Sequence, residues 1–141
     1  MLYNLFMDFI MRIYLDTCKA NDLKFLQLKY EIPEIASSTG RTAKGIFNID
    51  WCGYADDLLL AFNDETSLCK GLTILDEIFK RYRLSINSTK TKTMILNQHL
   101  EGREYPSSIG KLRGQELENV KSYKYLCLLY TSDAADEEAS G

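Results

Sequence analysis

The chain has 141 residues, 45% of them hydrophobic and 26% charged, the proportions of an ordinary globular domain large enough to bury a core. Its net charge of −3 argues against a duplex binder with a basic stripe. Yet the last fifteen residues hold four acids (Asp133, Asp136, Glu137, Glu138) and no base, which leaves 17 bases against 16 acids in residues 1–126.

Leu2, Leu5, Phe6, Phe9, Ile10 and Ile13 recur at helical spacing and predict an opening amphipathic helix. No capping residue precedes it, so the natural start is expected upstream. The apolar run Leu2–Leu15 carries Asp8 and Arg12 and is shorter than the roughly 20 residues of a membrane span. With no signal peptide either, an intracellular protein is expected, nucleus or cytoplasm not resolved. Cys18, Cys52, Cys69 and Cys127 lack zinc-ligand spacing and His99 is the only histidine, so free thiols in a reducing compartment are expected rather than a zinc site. Residues 21–35 alternate loosely and predict a short strand ending at Pro33, and residues 36–45 read as an exposed loop.

Ile46 to Gly53 reads as a strand with Phe47, Ile49 and Trp51 on one face, and Leu58 to Phe62 as a second strand. Tyr54-Ala55-Asp56-Asp57 joins them, which predicts a β-hairpin. Asn63 or Asp64 is placed to cap a following helix, with Leu68, Leu72, Leu75, Ile78 and Tyr82 as its buried stripe. Gly71 lies inside this helix and weakens it by ~1 kcal/mol against Ala. Leu84 to Asn87 leads into a basic loop, Ser88-Thr89-Lys90-Thr91-Lys92. Thr93 to Leu96 predicts a strand, and residues 97–108 are polar and turn-rich. Ile109–Leu112 and Val120–Leu126 predict a second hairpin around Gly114. No internal repeat is present.

The two adjacent carboxylates at the first hairpin's tip are chemically distinctive. Like charges that close repel, and a cation relieves the repulsion. Mg²⁺ prefers a few carboxylates together with substrate phosphates and retained water. The alternative is a solvated turn, since Asp is a common turn residue.

The surrounding motifs weigh against that alternative. Gly53-Tyr54-Ala55-Asp56-Asp57 resembles the aromatic-x-Asp-Asp box of reverse transcriptases. Leu84-Ser85-Ile86-Asn87-Ser88-Thr89-Lys90-Thr91-Lys92-Thr93-Met94 resembles the family's next motif, and Val120-Lys121-Ser122-Tyr123-Lys124-Tyr125-Leu126 its primer-grip strand. Leu5 to Arg12 looks like the helix that follows the family's template- and nucleotide-contacting loop. Order and spacing agree over residues 1–126, and the resemblance is closest to non-LTR retrotransposon reverse transcriptases.

The resemblance implies a role for each matching residue. Asp56 would ligate metal, with Asp57 as its partner. Tyr54 would pack beside the primer end, or on the core as a hairpin-tip aromatic. Lys90 would face the incoming triphosphate; the alternative for Lys90 and Lys92 is a solvated basic loop. Tyr123 and Tyr125 would support the primer strand, or form one side of a core. Asp8 sits at helical spacing and is expected to be solvated, although Phe6-Met7-Asp8-Phe9 superficially looks like the family's first catalytic carboxylate motif.

The implied fold is α+β: a partial polymerase palm over residues 1–126, an antiparallel sheet with helices on one face and a C-terminal hairpin. The implied activity is RNA-directed DNA polymerisation with Mg²⁺, Mn²⁺ being a substitute. The implied partners are an RNA template, a DNA primer and deoxynucleoside triphosphates, with no membrane and no protein partner predictable.

Two departures stand out. The first catalytic carboxylate motif is missing, so the chain alone is expected to be inactive. Cys127 replaces the family's Gly, and Cys127 to Glu137 resembles the translation of a sequencing-library adapter, so residues 127–141 are expected to be a non-native or disordered acidic tail. Two other classes remain open: a non-catalytic retroelement remnant with at most weak nucleic-acid binding, and another palm enzyme such as a nucleotide cyclase.

Overall fold

The computed structural model describes residues 2–33, 42–96, 106–125 and 128–131. The chain divides into two compact units, Met1–Ile78 and Phe79–Gly141.

The first unit opens with α1 (Leu2–Ala20). Its buried residues are Met7, Ile10, Met11, Tyr14 and Cys18, and the i, i+3, i+4, i+7 and i+11 pattern is that of one core-facing stripe. This corrects the expected stripe. Leu2, Leu5, Phe6 and Phe9 are exposed, and only Ile10 belongs to both sets. The helix is apolar around most of its circumference, so periodicity alone does not choose a face, and the chosen face relies on adaptable Met and Cys side chains. Asp8 is engaged on the surface, where its carboxylate accepts from Arg12 Nε at 2.8 Å.

The helix ends in a Schellman motif, with Leu23 N–H donating to the Cys18 carbonyl at 3.1 Å and Asp22 N–H to that of Lys19 at 3.1 Å. Asp22 takes the left-handed backbone, φ 56°, that this motif requires.

Strands β1 (Leu26–Pro33) and β2 (Thr42–Ile49) then pair antiparallel, Leu26 opposite Ile49 and Pro33 opposite Thr42. Pro33 is the last residue of β1, as expected, but β2 starts inside the predicted loop. The predicted strand from Ile46 to Gly53 is interrupted at Asp50, whose carboxylate accepts from Trp51 N–H at 2.9 Å. Strands β3 (Trp51–Tyr54) and β4 (Asp57–Leu60) form the first predicted hairpin. Its base is held to β1: Leu26 N–H donates to the Ala61 carbonyl at 3.1 Å, Asn63 N–H to that of Lys24 at 2.9 Å, and the Phe25 and Phe62 rings stack at 5.3 Å.

Helix α2 (Glu65–Arg81) follows, capped by Asp64, whose carboxylate accepts from Ser67 N–H at 2.7 Å. That backbone hydrogen bond, with help from Lys24 and Lys70, holds the Asp64 carboxyl below the usual carboxylate range. Leu72, Leu75 and Ile78 are buried as predicted, whereas Leu68 is half-buried and Tyr82 falls beyond the helix end. Gly71 has a role that a propensity scale does not reveal. A Cβ there would lie 2.5 Å from Phe62 Cζ and 2.9 Å from the Tyr14 hydroxyl.

In the second unit Arg83 takes a left-handed backbone, φ 58°, and Leu84 N–H donates to the Phe79 carbonyl at 2.8 Å, a second Schellman motif. Strand β5 is two residues, Lys92–Thr93, shorter than predicted. It pairs parallel with β7 (Gln115–Asn119), which also pairs antiparallel with β6 (Ser108–Leu112). Leu112 on β6 and Leu117 on β7 are buried. The hairpin around Gly114 therefore exists, but its second strand is β7 rather than Val120–Leu126. Instead, β8 (Ser122–Tyr125) pairs with β9 (Leu128–Thr131), inside the stretch expected to be tail.

The α+β class is thus as expected. Among the described residues the strands form four small sheets rather than one continuous one. No helix among them is long and apolar enough to cross a membrane.

Candidate active site

In the β3–β4 hairpin Tyr54 stands opposite Asp57, and Ala55-Asp56 is a two-residue loop. Cross-strand partners share a face, so Cys52, Tyr54, Asp57 and Leu59 line one side, all exposed, while Trp51, Leu58 and Leu60 on the other are half-buried. Gly53 lets the Trp51 ring lie across the strand: a Cβ there would be 2.8 Å from Trp51 Cζ3. The ribbon is thus anchored by one face and offers the other to solvent. Asp56 in the loop and Asp57 beside it are both exposed. Tyr54 is 66% exposed, so its ring is not a core residue.

Ala55 has φ 53°, a left-handed backbone that costs an L-residue about 1–2 kcal/mol. Such strain at a tip is sustained only when neighbours fix the conformation. Replacing Ala55 with Gly is expected to stabilise the chain by about 0.5–1 kcal/mol, because the relieved strain exceeds glycine's entropic cost. Chemical denaturation measures this; a destabilised Ala55→Gly chain would show that the turn is unstrained.

Asp56 and Asp57 are the right donors for a hard divalent ion, two adjacent oxygen ligands on a short hairpin. They are too few to enclose one. Among the described residues no three His, Cys, Asp or Glu side chains gather in a metal-binding group.

The other candidates lie in the second unit. The basic loop is a capped turn: the Asn87 side-chain oxygen accepts from Thr89 N–H at 3.1 Å and Lys90 N–H at 3.2 Å, and the Asn87 carbonyl accepts from Thr91 N–H at 3.0 Å. Lys90 is exposed. The Lys92 ammonium is paired with the Glu118 carboxylate and bonded to it, so Lys92 is occupied. Tyr123, 37% exposed, lies in β8 opposite Tyr130. Tyr125 ends that strand opposite Leu128, and its side chain is outside the described residues.

A family model for reverse transcriptase (RNA-dependent DNA polymerase) matches residues 1–129. The chain belongs to the reverse transcriptase family. No curated protein and no solved structure matches it. The match takes in Tyr54, Asp56, Asp57, Lys90, Tyr123 and Tyr125 within one reverse transcriptase domain. Asn87, Ser88, Arg113 and Gln115, which bond in and around the Lys90 loop, carry no individual role in the sequence expectations. Asn87 and Ser88 do stand within the Leu84–Met94 motif and Arg113-Gly114 marks a tight turn, whereas Gln115 carries no signal.

Proposed function

We propose that this chain is part of an RNA-directed DNA polymerase of the non-LTR retrotransposon type, one that joins deoxynucleotides to a primer and releases pyrophosphate. The observation that carries the reading is the exposed Asp56-Asp57 pair at a two-residue hairpin tip beside Tyr54, in a chain of this family. Asp56 is the metal ligand and Asp57 its electrostatic support. When bound there, Mg²⁺, or Mn²⁺ in its place, supplies positive charge for the primer 3′-hydroxyl and the leaving pyrophosphate. Tyr54 presents its ring to the primer end, where aromatic faces stack on bases. Lys90 faces the triphosphate and places a cation where negative charge develops. Tyr123 and Tyr125 support the primer strand. Residues 127–141, including β9, take no part in the chemistry; their adapter-like sequence supports a non-native origin.

Two carboxylates on one hairpin hold two divalent ions poorly, and a third is needed from outside the residues gathered here. The purified chain is therefore expected to give no primer extension on an RNA template with Mg²⁺ and deoxynucleotides. Extension that is lost in Asp56→Asn would overturn the incomplete-site reading. The missing third carboxylate also favours a second reading, a non-catalytic remnant. On that reading primer extension stays absent even when the upstream sequence of the same reading frame is supplied with the chain.

A further inference from the structure

We propose that Arg113 is a positioning residue, which from the tip of the β6–β7 hairpin holds the Asn87–Thr91 turn and so presets Lys90 for a polyphosphate. The inference rests on the reading of Lys90 given above.

Arg113 breaks a local rule. The loop between Leu112 and Gln115 is two residues, with φ 52° at Arg113 and 79° at Gly114. Positive φ at both positions is the type I′ pattern, which favours Asn, Asp or Gly at the first. An arginine there carries backbone strain, and strain is retained where the side chain is used. The Arg113 guanidinium donates to the carbonyl of Ile86, 27 residues upstream and just before the turn. The same hairpin reaches the turn twice more. Ser88 Oγ donates to Gln115 Oε1 at 2.8 Å, and Lys92 is paired with Glu118. Inside this bracket the Asn87 side chain caps the turn, with Thr91 Oγ1 donating to the Asn87 carbonyl at 2.7 Å. Lys90 is left exposed, its ammonium with no partner among the described residues.

Exposed polar contacts of this kind add little to fold stability. Their product is geometry. A cation held on a fixed turn binds an anion without first ordering the loop, which lowers the cost of association.

Asn suits the type I′ position, so Arg113→Asn is expected to keep or raise the melting temperature. It should nonetheless speed amide exchange at Thr89, Lys90 and Thr91, and weaken binding of inorganic tripolyphosphate by roughly three- to tenfold, the scale of ordering one more long side chain on binding. Arg113→Lys should fall between. Ser88→Ala, remote from the strained position, should loosen the same amides. Unchanged exchange and affinity in Arg113→Asn would overturn the positioning role. A Lys90→Gln chain that binds tripolyphosphate as well as wild type would instead refute the phosphate role of Lys90, while exchange at residues 89–91 would still decide for or against Arg113.

Discussion

Gly71→Ala is expected to destabilise the chain, although alanine is the better helix former. Helix propensity alone would favour the substitution by ~1 kcal/mol. The new Cβ, however, would sit 2.5 and 2.6 Å from Phe62 Cζ and Cε1 and 2.9 Å from the Tyr14 hydroxyl. A flexible neighbour would swing aside; these two have little room. The Phe62 ring is stacked on Phe25 at 5.3 Å, and Tyr14 is fully buried on α1. Overpacking a close-fitted core costs typically 1–3 kcal/mol, so after the propensity gain the net loss is up to about 2 kcal/mol. At the scale of a small domain each kcal/mol lowers the melting temperature by roughly 4–8 °C. Gly71→Val places two further methyl groups on that Cβ, and its loss should be larger. A melting temperature that rises in Gly71→Ala would mean that the Phe62 ring yields freely.

The second large effect concerns the hairpin tip, and it separates stability from binding. Asp56 and Asp57 are exposed neighbours, and neither makes a hydrogen bond or ion pair with another described side chain. Replacing both with Asn removes like-charge repulsion without deleting a contact, so stability should hold or rise slightly. Divalent-ion affinity should fall on the order of tenfold or more, because a doubly charged ion loses both of its nearby anions. An engineered loss of function with no loss of fold is what distinguishes ligands from structural acids. A double variant that is markedly less stable would show instead that the carboxylates hold the turn together.

Much of this was legible in the sequence, and the failures have physical causes. The first hairpin was legible because two apolar runs flank a four-residue turn stretch, and α2 because Asp64 stands four residues ahead of a regular apolar stripe that begins at Leu68. Helix α1 was legible as a helix but not in its orientation, since Leu5 and Phe9 are as hydrophobic as Met7 and Met11, and only the partner surface decides between them. Strand β7 escaped notice because Gln115-Glu116-Leu117-Glu118-Asn119 offers Leu117 alone as an apolar signal. Its parallel pairing with β5 spans 26 residues, a contact that no local pattern encodes. By propensity alone Gly71 is a cost to the helix, because the close approach of Phe62 and Tyr14 depends on where other elements pack. At the candidate site the residue types and their order were legible. The support of the Lys90 loop by Arg113, Ser88 and Gln115 was not, since it depends on how the β6–β7 hairpin packs.

The measurement that bears most directly on the metal-site claim is a Mn²⁺ titration followed by NMR on the wild-type chain and on the Asp56→Asn, Asp57→Asn chain. Paramagnetic broadening should begin at the amides of residues 54–58 in the wild type and vanish from them in the double variant, with Mg²⁺ competing for the same site. Broadening that is absent from the hairpin tip, or that survives both substitutions, would contradict the assignment of Asp56 and Asp57 as metal ligands.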